Sequence, residues 1–188
     1  MTILPRAFYE QEDVVDLARQ LLGKWLITKI DGTLTGGMII ETEAYKGAED
    51  KASHAYGNRR TKRTEVIFAR GGVAYVYLCY GMHNLFNIVT NKQDTPHAIL
   101  IRALKPDLGI ETMQKRRKTS HNLTSGPGMV CQALGITRKE NGHPLTEAPL
   151  WIEERGVKGQ IESSARIGIS YAREHASLPW RFLLNFYE

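Results

Sequence analysis

Residues 73–79 (VAYVYLC) and 85–90 (LFNIVT) are two strand-like runs with only residues 80–84 between them. A parallel pair needs a crossover of a dozen residues or more, so these runs can pair only antiparallel, as a hairpin turning at Tyr80-Gly81. Residues 24–30 and 37–45 read the same way around the polar turn Asp31-Gly32-Thr33, and 97–104 adds a further strand. Helical spacing appears at 13–22, where Val14, Leu17, Ala18, Leu21 and Leu22 share a face, Asp13 can cap the start and Gly23 the end. A short helix is expected over 64–69, ending at Gly71-Gly72. Others are expected at 109–118 and at 127–134, the last opened by Pro127 and closed by Gly135. The tail offers strands near 150–153, 165–170 and 180–186. Strands on short turns with irregularly placed helices predict one α+β domain over residues 1–188, with a mainly antiparallel, curved sheet and flanking helices. Regular βαβ alternation is missing, and neither GxGxxG nor GxxxxGK[ST] occurs, which excludes the usual phosphate-cradling motifs.

Composition supports a core: 42% of the 188 residues are apolar, and 24% charged with seven prolines argues against disorder. No apolar run reaches the length of a membrane-spanning helix. The start, MTILPRAFYEQED, lacks the basic-then-apolar pattern of a secretory leader, so a cytoplasmic protein is expected, nucleoid-associated in a bacterium or nuclear in a eukaryote. Cys79 and Cys131 stand alone, without a CxxC pair. The net charge of +5 is uneven. Residues 46–70 hold seven basic and three acidic side chains, residues 102–118 six and two, so each block carries +4 and the rest of the chain −3. Such blocks are what phosphate neutralisation requires, although a solvated face would look the same.

Strand 37–45 (GMIIETEAY) carries two carboxylates in an apolar context. Alternation puts Ile39, Glu41, Glu43 and Tyr45 on one face and Met38, Ile40, Thr42 and Ala44 on the other. A buried carboxylate needs a partner, unless the strand end simply reaches water. Strand 97–104 holds the complement: Arg102 lies in a row with Ala98, Leu100 and Leu104. It is expected to meet Glu41 or Glu43, the alternative being a guanidinium that snorkels to solvent. Tyr75 and Tyr77 share a strand face, and Tyr80 at a turn tip is costly unless it meets a groove or a base step. Asn87 falls on the Leu85/Val89 face and reads as a buried, hydrogen-bonded amide. His54, in ASHAYG, reads as an exposed or capping loop histidine. The histidines lack metal-ligand spacing, and PCxxC and GxSxG are absent, which excludes a zinc deaminase and a serine acyl transferase.

A carboxylate beside an arginine, several tyrosines and basic loops suit hydrolysis of a glycosidic bond in a nucleic acid. The transition state is cationic at the sugar, where a carboxylate stabilises charge and takes a proton from water. A non-catalytic nucleic-acid-binding module would share the basic blocks and tyrosines but leaves the carboxylate–arginine pair unused. A sugar hydrolase would leave the basic blocks unused.

The segments ETEAY (41–45), GAEDKASHAYG (47–57), YVYLCYGMHN (75–84) leading to Asn87, LIRALKP (100–106), SGPGMVCQALGI (125–136), ARIGISYA and the later PWRF together resemble the alkyladenine (3-methyladenine) DNA glycosylase family. The resemblance covers nearly the whole chain from about residue 5. It implies a monofunctional glycosylase that flips a damaged purine out of duplex DNA and hydrolyses its N-glycosidic bond. By position, Glu43 would be the general base and Arg102 its partner in placing the water. Tyr45, His54 and Tyr77 would form the base pocket, and Asn87 the gate against the 2-amino group of guanine. Tyr80 would intercalate from a protruding hairpin, and Met82, His83, Arg59, Arg60 and Arg63 would lie against the backbone and minor groove. The implied partner is double-stranded DNA containing damaged purines, met by a monomer with no membrane contact. No metal or organic cofactor is implied. Two positions depart from the pattern: Met129 where some relatives have Lys, and His83 where an aromatic can occur.

Overall fold

The computed structural model describes residues 2–155 and 159–185. The strands are β1 (Thr2–Ile3), β2 (Trp25–Ile30), β3 (Thr33–Tyr45), β4 (Val73–Cys79), β5 (His83–Thr90), β6 (His97–Leu108), β7 (Thr146–Glu147), β8 (Leu150–Glu154), β9 (Gln160–Ser164) and β10 (Arg181–Asn185). They form one curled sheet, a half-barrel, in the order β1-β8-β2-β3-β6-β5-β4, with β10 pairing β3 and β9, and β7 pairing β8. Every strand pairing among the described residues is antiparallel. The helices are α1 (Arg6–Tyr9), α2 (Val14–Gln20), α3 (Ile110–Arg117) and α4 (Pro127–Leu134).

Local chemistry accounts for most boundaries. The Asp13 carboxylate accepts from Val15 N–H at 2.9 Å and Asp16 N–H at 3.1 Å, capping α2. Asp31 and Gly32 both have positive φ (52° and 72°), as in the tight mirror-image turns that join β-hairpins. Gly135, at φ 76°, ends α4 in the left-handed region.

The sheet separates two environments. One face packs against α2 and α4 through Leu17, Leu21, Val130, Leu134, Phe86, Ile88, Ile99 and Ile101, all buried. Each such side chain contributes roughly 1.5–3 kcal/mol through removal from water. The other face carries a smaller cluster of Tyr75, Val89, Ala98 and Ile67. The candidate site opens on this second face.

The short helix expected over 64–69 forms as a 3-10 helix, Glu65–Phe68. Two expectations need correction. No strand forms at 165–170: the paired segment comes earlier, as β9, and a 3-10 helix occupies Ser170–Ser177. Gly168 bends the chain there at φ 74°, and Ile167 N–H is spent on a side chain, so no ladder can continue. Finally, strict alternation fails in the middle of β3 and β6. Ile39 lies opposite Leu104, Glu41 opposite Ala103 and Thr42 opposite Ile101, so Ile40 and Arg102 are both skipped by the ladder. This double irregularity turns Ile39 and Leu104 into the helix-packed core rather than onto the face of Glu43 and Arg102. Bulges re-aim side chains in this way.

Candidate active site

Glu43 sits on β3 and is fully buried. Its Oε1 accepts from Ile167 N–H at 2.8 Å and its Oε2 from the Tyr45 hydroxyl at 2.8 Å. Arg102 Nη1 lies 3.4 Å from Oε1. The Arg102 Nε donates to Glu41 Oε1 at 2.9 Å, so one guanidinium spans both carboxylates and the open choice between them resolves to both. Glu41 Oε1 also accepts from Arg181 Nε at 2.6 Å, from the neighbouring strand β10. A carboxylate has about four lone-pair positions, so Glu43 keeps acceptor capacity beyond these donors.

Glu43's three partners, Tyr45, Arg102 and Ile167, line a cavity of about 420 Å³. That volume falls within the roughly 300–1,000 Å³ of small-molecule sites. Its walls also include His54, Tyr75, Tyr77 and Asn87, so the residues assigned by resemblance to the base pocket converge there. Asn87 is buried and donates to the Tyr75 carbonyl at 3.2 Å.

His54 departs from the exposed loop histidine that its local sequence suggests. Its Nδ1 lies 3.0 Å from the Tyr75 hydroxyl, and its ring centroid 4.7 Å from that of Tyr77. Burial, reinforced by the charges of Arg63 and Arg59, lowers the imidazole to about 4. The ring is therefore neutral at neutral pH. Burial also raises the Tyr45 and Tyr77 hydroxyls, so both stay protonated donors.

The hairpin β4–β5 ends in a tip where Tyr80 is 90% exposed and Met82 72%. Tyr80 and Gly81 have φ of 49° and 70°. A positive φ at a bulky residue is strained, and such strain gathers at functional sites. Tyr80 borders the cavity, whereas Met82 and His83 line a separate groove with Arg116, Gly128 and Gln132.

The basic residues divide. Arg60 is engaged by Glu65 and Asp94, each at 2.7 Å, which competes with any phosphate contact. Arg59 forms no ion pair with a carboxylate among the described residues, and neither does Arg63, whose guanidinium lies 5.2 Å from the Tyr77 ring centroid on the cavity wall. In the second block, Arg116 is a structural brace, donating to the carbonyls of Ala133 and Ile30.

Sequence reasoning missed Arg181 and the pair Arg166–Asp50. Arg166 is buried, donates to both Asp50 oxygens and to Ala44 O, and lies 4.8 Å from the Tyr45 ring centroid. It thereby anchors the residue next to Ile167. The available signal was the one used for Arg102: an arginine flanked by apolar residues, as in ARIGI and PWRFLL.

A family model described as Methylpurine-DNA glycosylase (MPG) matches residues 7–187. The chain belongs to this family. Relatives bearing the name "Putative 3-methyladenine DNA glycosylase" include one from Chlamydia felis, 51% identical over 187 residues, covering 97% of this chain and 96% of the relative. Another, from Bacillus cereus, is 48% identical over 192 residues and covers 95% and 93%. Family membership and these relatives make the chain a DNA glycosylase of the methylpurine type.

Proposed function

We propose that this glycosylase extrudes an alkylated or deaminated purine from duplex DNA into the 420 Å³ cavity and hydrolyses its N-glycosidic bond with water activated by Glu43. The carrying observation is that a fully buried carboxylate meets the cavity through Tyr45, Arg102 and Ile167. As the bond between C1′ and the base breaks, its electron pair passes to the purine and the sugar becomes cationic. The water oxygen bonds to C1′, and its proton goes to Glu43 and then to solvent. Arg102 holds Glu43 and the water in place. His54, Tyr77 and Tyr45 enclose the extruded base, and Asn87 narrows the cavity beside it. Tyr80 occupies the gap left in the duplex, consistent with its exposure and its strained turn. No lysine lines the cavity among the described residues, which supports water as the nucleophile and an abasic site as the product.

The test is release of free base from an oligonucleotide duplex containing one hypoxanthine or one 3-methyladenine. Glu43→Gln is expected to lose about 100-fold or more in single-turnover rate while keeping its fold. Wild-type rates in that variant would refute the general-base assignment.

A further inference from the structure

From the place of Arg63 on the cavity wall, we propose that its positive charge biases this enzyme toward neutral damaged purines over cationic ones. The inference rests on the base-release reading above and names the substrate class for that same site.

Arg63 belongs to the basic loop, where an arginine would ordinarily be assigned to phosphate. Its guanidinium instead lies 5.2 Å from the Tyr77 ring centroid, and the residue lines the cavity with His54, Tyr75 and Tyr77. Its charge reaches all three rings: it helps depress the His54 imidazole and offsets part of the rise in the Tyr75 and Tyr77 hydroxyls. No carboxylate among the described residues pairs with it, whereas its neighbour Arg60 is neutralised by Glu65 and Asp94. Arg102, the other cationic wall, is compensated by Glu41 and Glu43. Arg63 is thus the uncompensated cation of the cavity wall among the described residues.

Its effect on a bound purine follows from charge. A neutral base such as hypoxanthine gains electron density as the glycosidic bond breaks and leaves as an anion, which takes a proton from water afterwards. A fixed cation stabilises that developing charge. A base such as 7-methylguanine enters as a cation and leaves neutral. Arg63 opposes its entry, and part of that repulsion persists in the transition state. Measured from free enzyme and free DNA, the same residue therefore promotes one class and penalises the other. Within the bound complex it speeds departure of both, because both bases gain electrons.

The experiment compares Arg63→Gln and Arg63→Lys with wild type on duplexes carrying a single hypoxanthine or a single 7-methylguanine, measuring single-turnover rate and half-saturation concentration separately. Arg63→Gln is expected to lose about tenfold in rate over half-saturation on hypoxanthine, a modest figure because the side chain keeps contact with solvent. On 7-methylguanine the same quotient should hold or rise, through tighter binding. Arg63→Lys, which keeps the charge, should hold the wild-type preference within about threefold. Equal losses on the two lesions would overturn the proposal and mark Arg63 as a phosphate or structural residue. So would a Lys variant with the same preference as the Gln variant. A wild-type protein releasing neither base would instead refute the base-release reading.

Discussion

Arg102 donates through Nε to Glu41 Oε1 at 2.9 Å from a ladder position that has no residue opposite it. The same Glu41 oxygen accepts from Arg181. Glu41 therefore holds the arginine that faces Glu43, and acts on the site through it. Glu41→Gln is expected to lower single-turnover base release about tenfold while affinity for an abasic-analogue duplex stays unchanged. The variant should lose about 1–3 kcal/mol of stability in urea unfolding, since charge-assisted bonds become neutral ones. A fall in stability without a fall in rate would limit Glu41 to a structural role.

Asp50 and Arg166 form a buried pair behind Tyr45, each side chain at 0% exposure. Asp50→Asn leaves the guanidinium uncompensated, which costs about 3–5 kcal/mol. Because Arg166 anchors the segment whose Ile167 N–H bonds Glu43, turnover should fall further than the folded fraction explains. Thermal melts and rates normalised to folded protein check this. A normalised rate equal to wild type would separate the pair from the site.

Tyr80 holds a strained backbone at an exposed tip, so a residue that tolerates positive φ should relieve it. Tyr80→Asn is expected to gain about 1 kcal/mol of stability and to lose affinity for damaged duplex. Parallel unfolding and DNA-binding titrations give both numbers. A variant that binds damaged duplex as tightly as wild type would remove Tyr80 from the DNA interface.

His54 links the pocket to pH. Its imidazole falls from 6.5 in the unfolded chain to about 4 in the folded one. Between those values the unfolded chain binds a proton that the folded chain refuses, so stability is full above pH 6.5 and declines as pH falls toward 4. The residue's share is about 1–3 kcal/mol. His54→Gln should flatten the stability-versus-pH slope in that window, measured as the difference from wild type. An NMR titration should keep the wild-type ring resonance at its neutral position down to about pH 5.

The antiparallel plan and the ingredients of the site were legible because both follow from local rules. Short connections forbid parallel pairing, and strand β4 begins and ends where its residues alternate and turn. Carboxylates at 41 and 43 and an arginine at 102, each amid apolar neighbours, are natural partners wherever the strands are buried, since buried charge without a partner is too costly. Tyr80 at a turn tip stood out for the same kind of reason.

Tertiary structure decided everything that depends on geometry between distant segments. Period-two alternation cannot show the paired bulges that lift Arg102 out of the ladder and send Ile39 and Leu104 to the opposite face. It cannot show that Ile167, 124 residues along the chain, supplies a backbone N–H to Glu43, because that bond exists only where the chain abandons regular pairing. Nor could charge counting separate Arg60, held by two acids, from Arg63, placed on the cavity wall against Tyr77. The sequence by itself marked Glu41, Glu43 and Arg102 as charges in need of partners; packing around the sheet determined which partner each one met and brought in Arg181, Arg166 and Asp50.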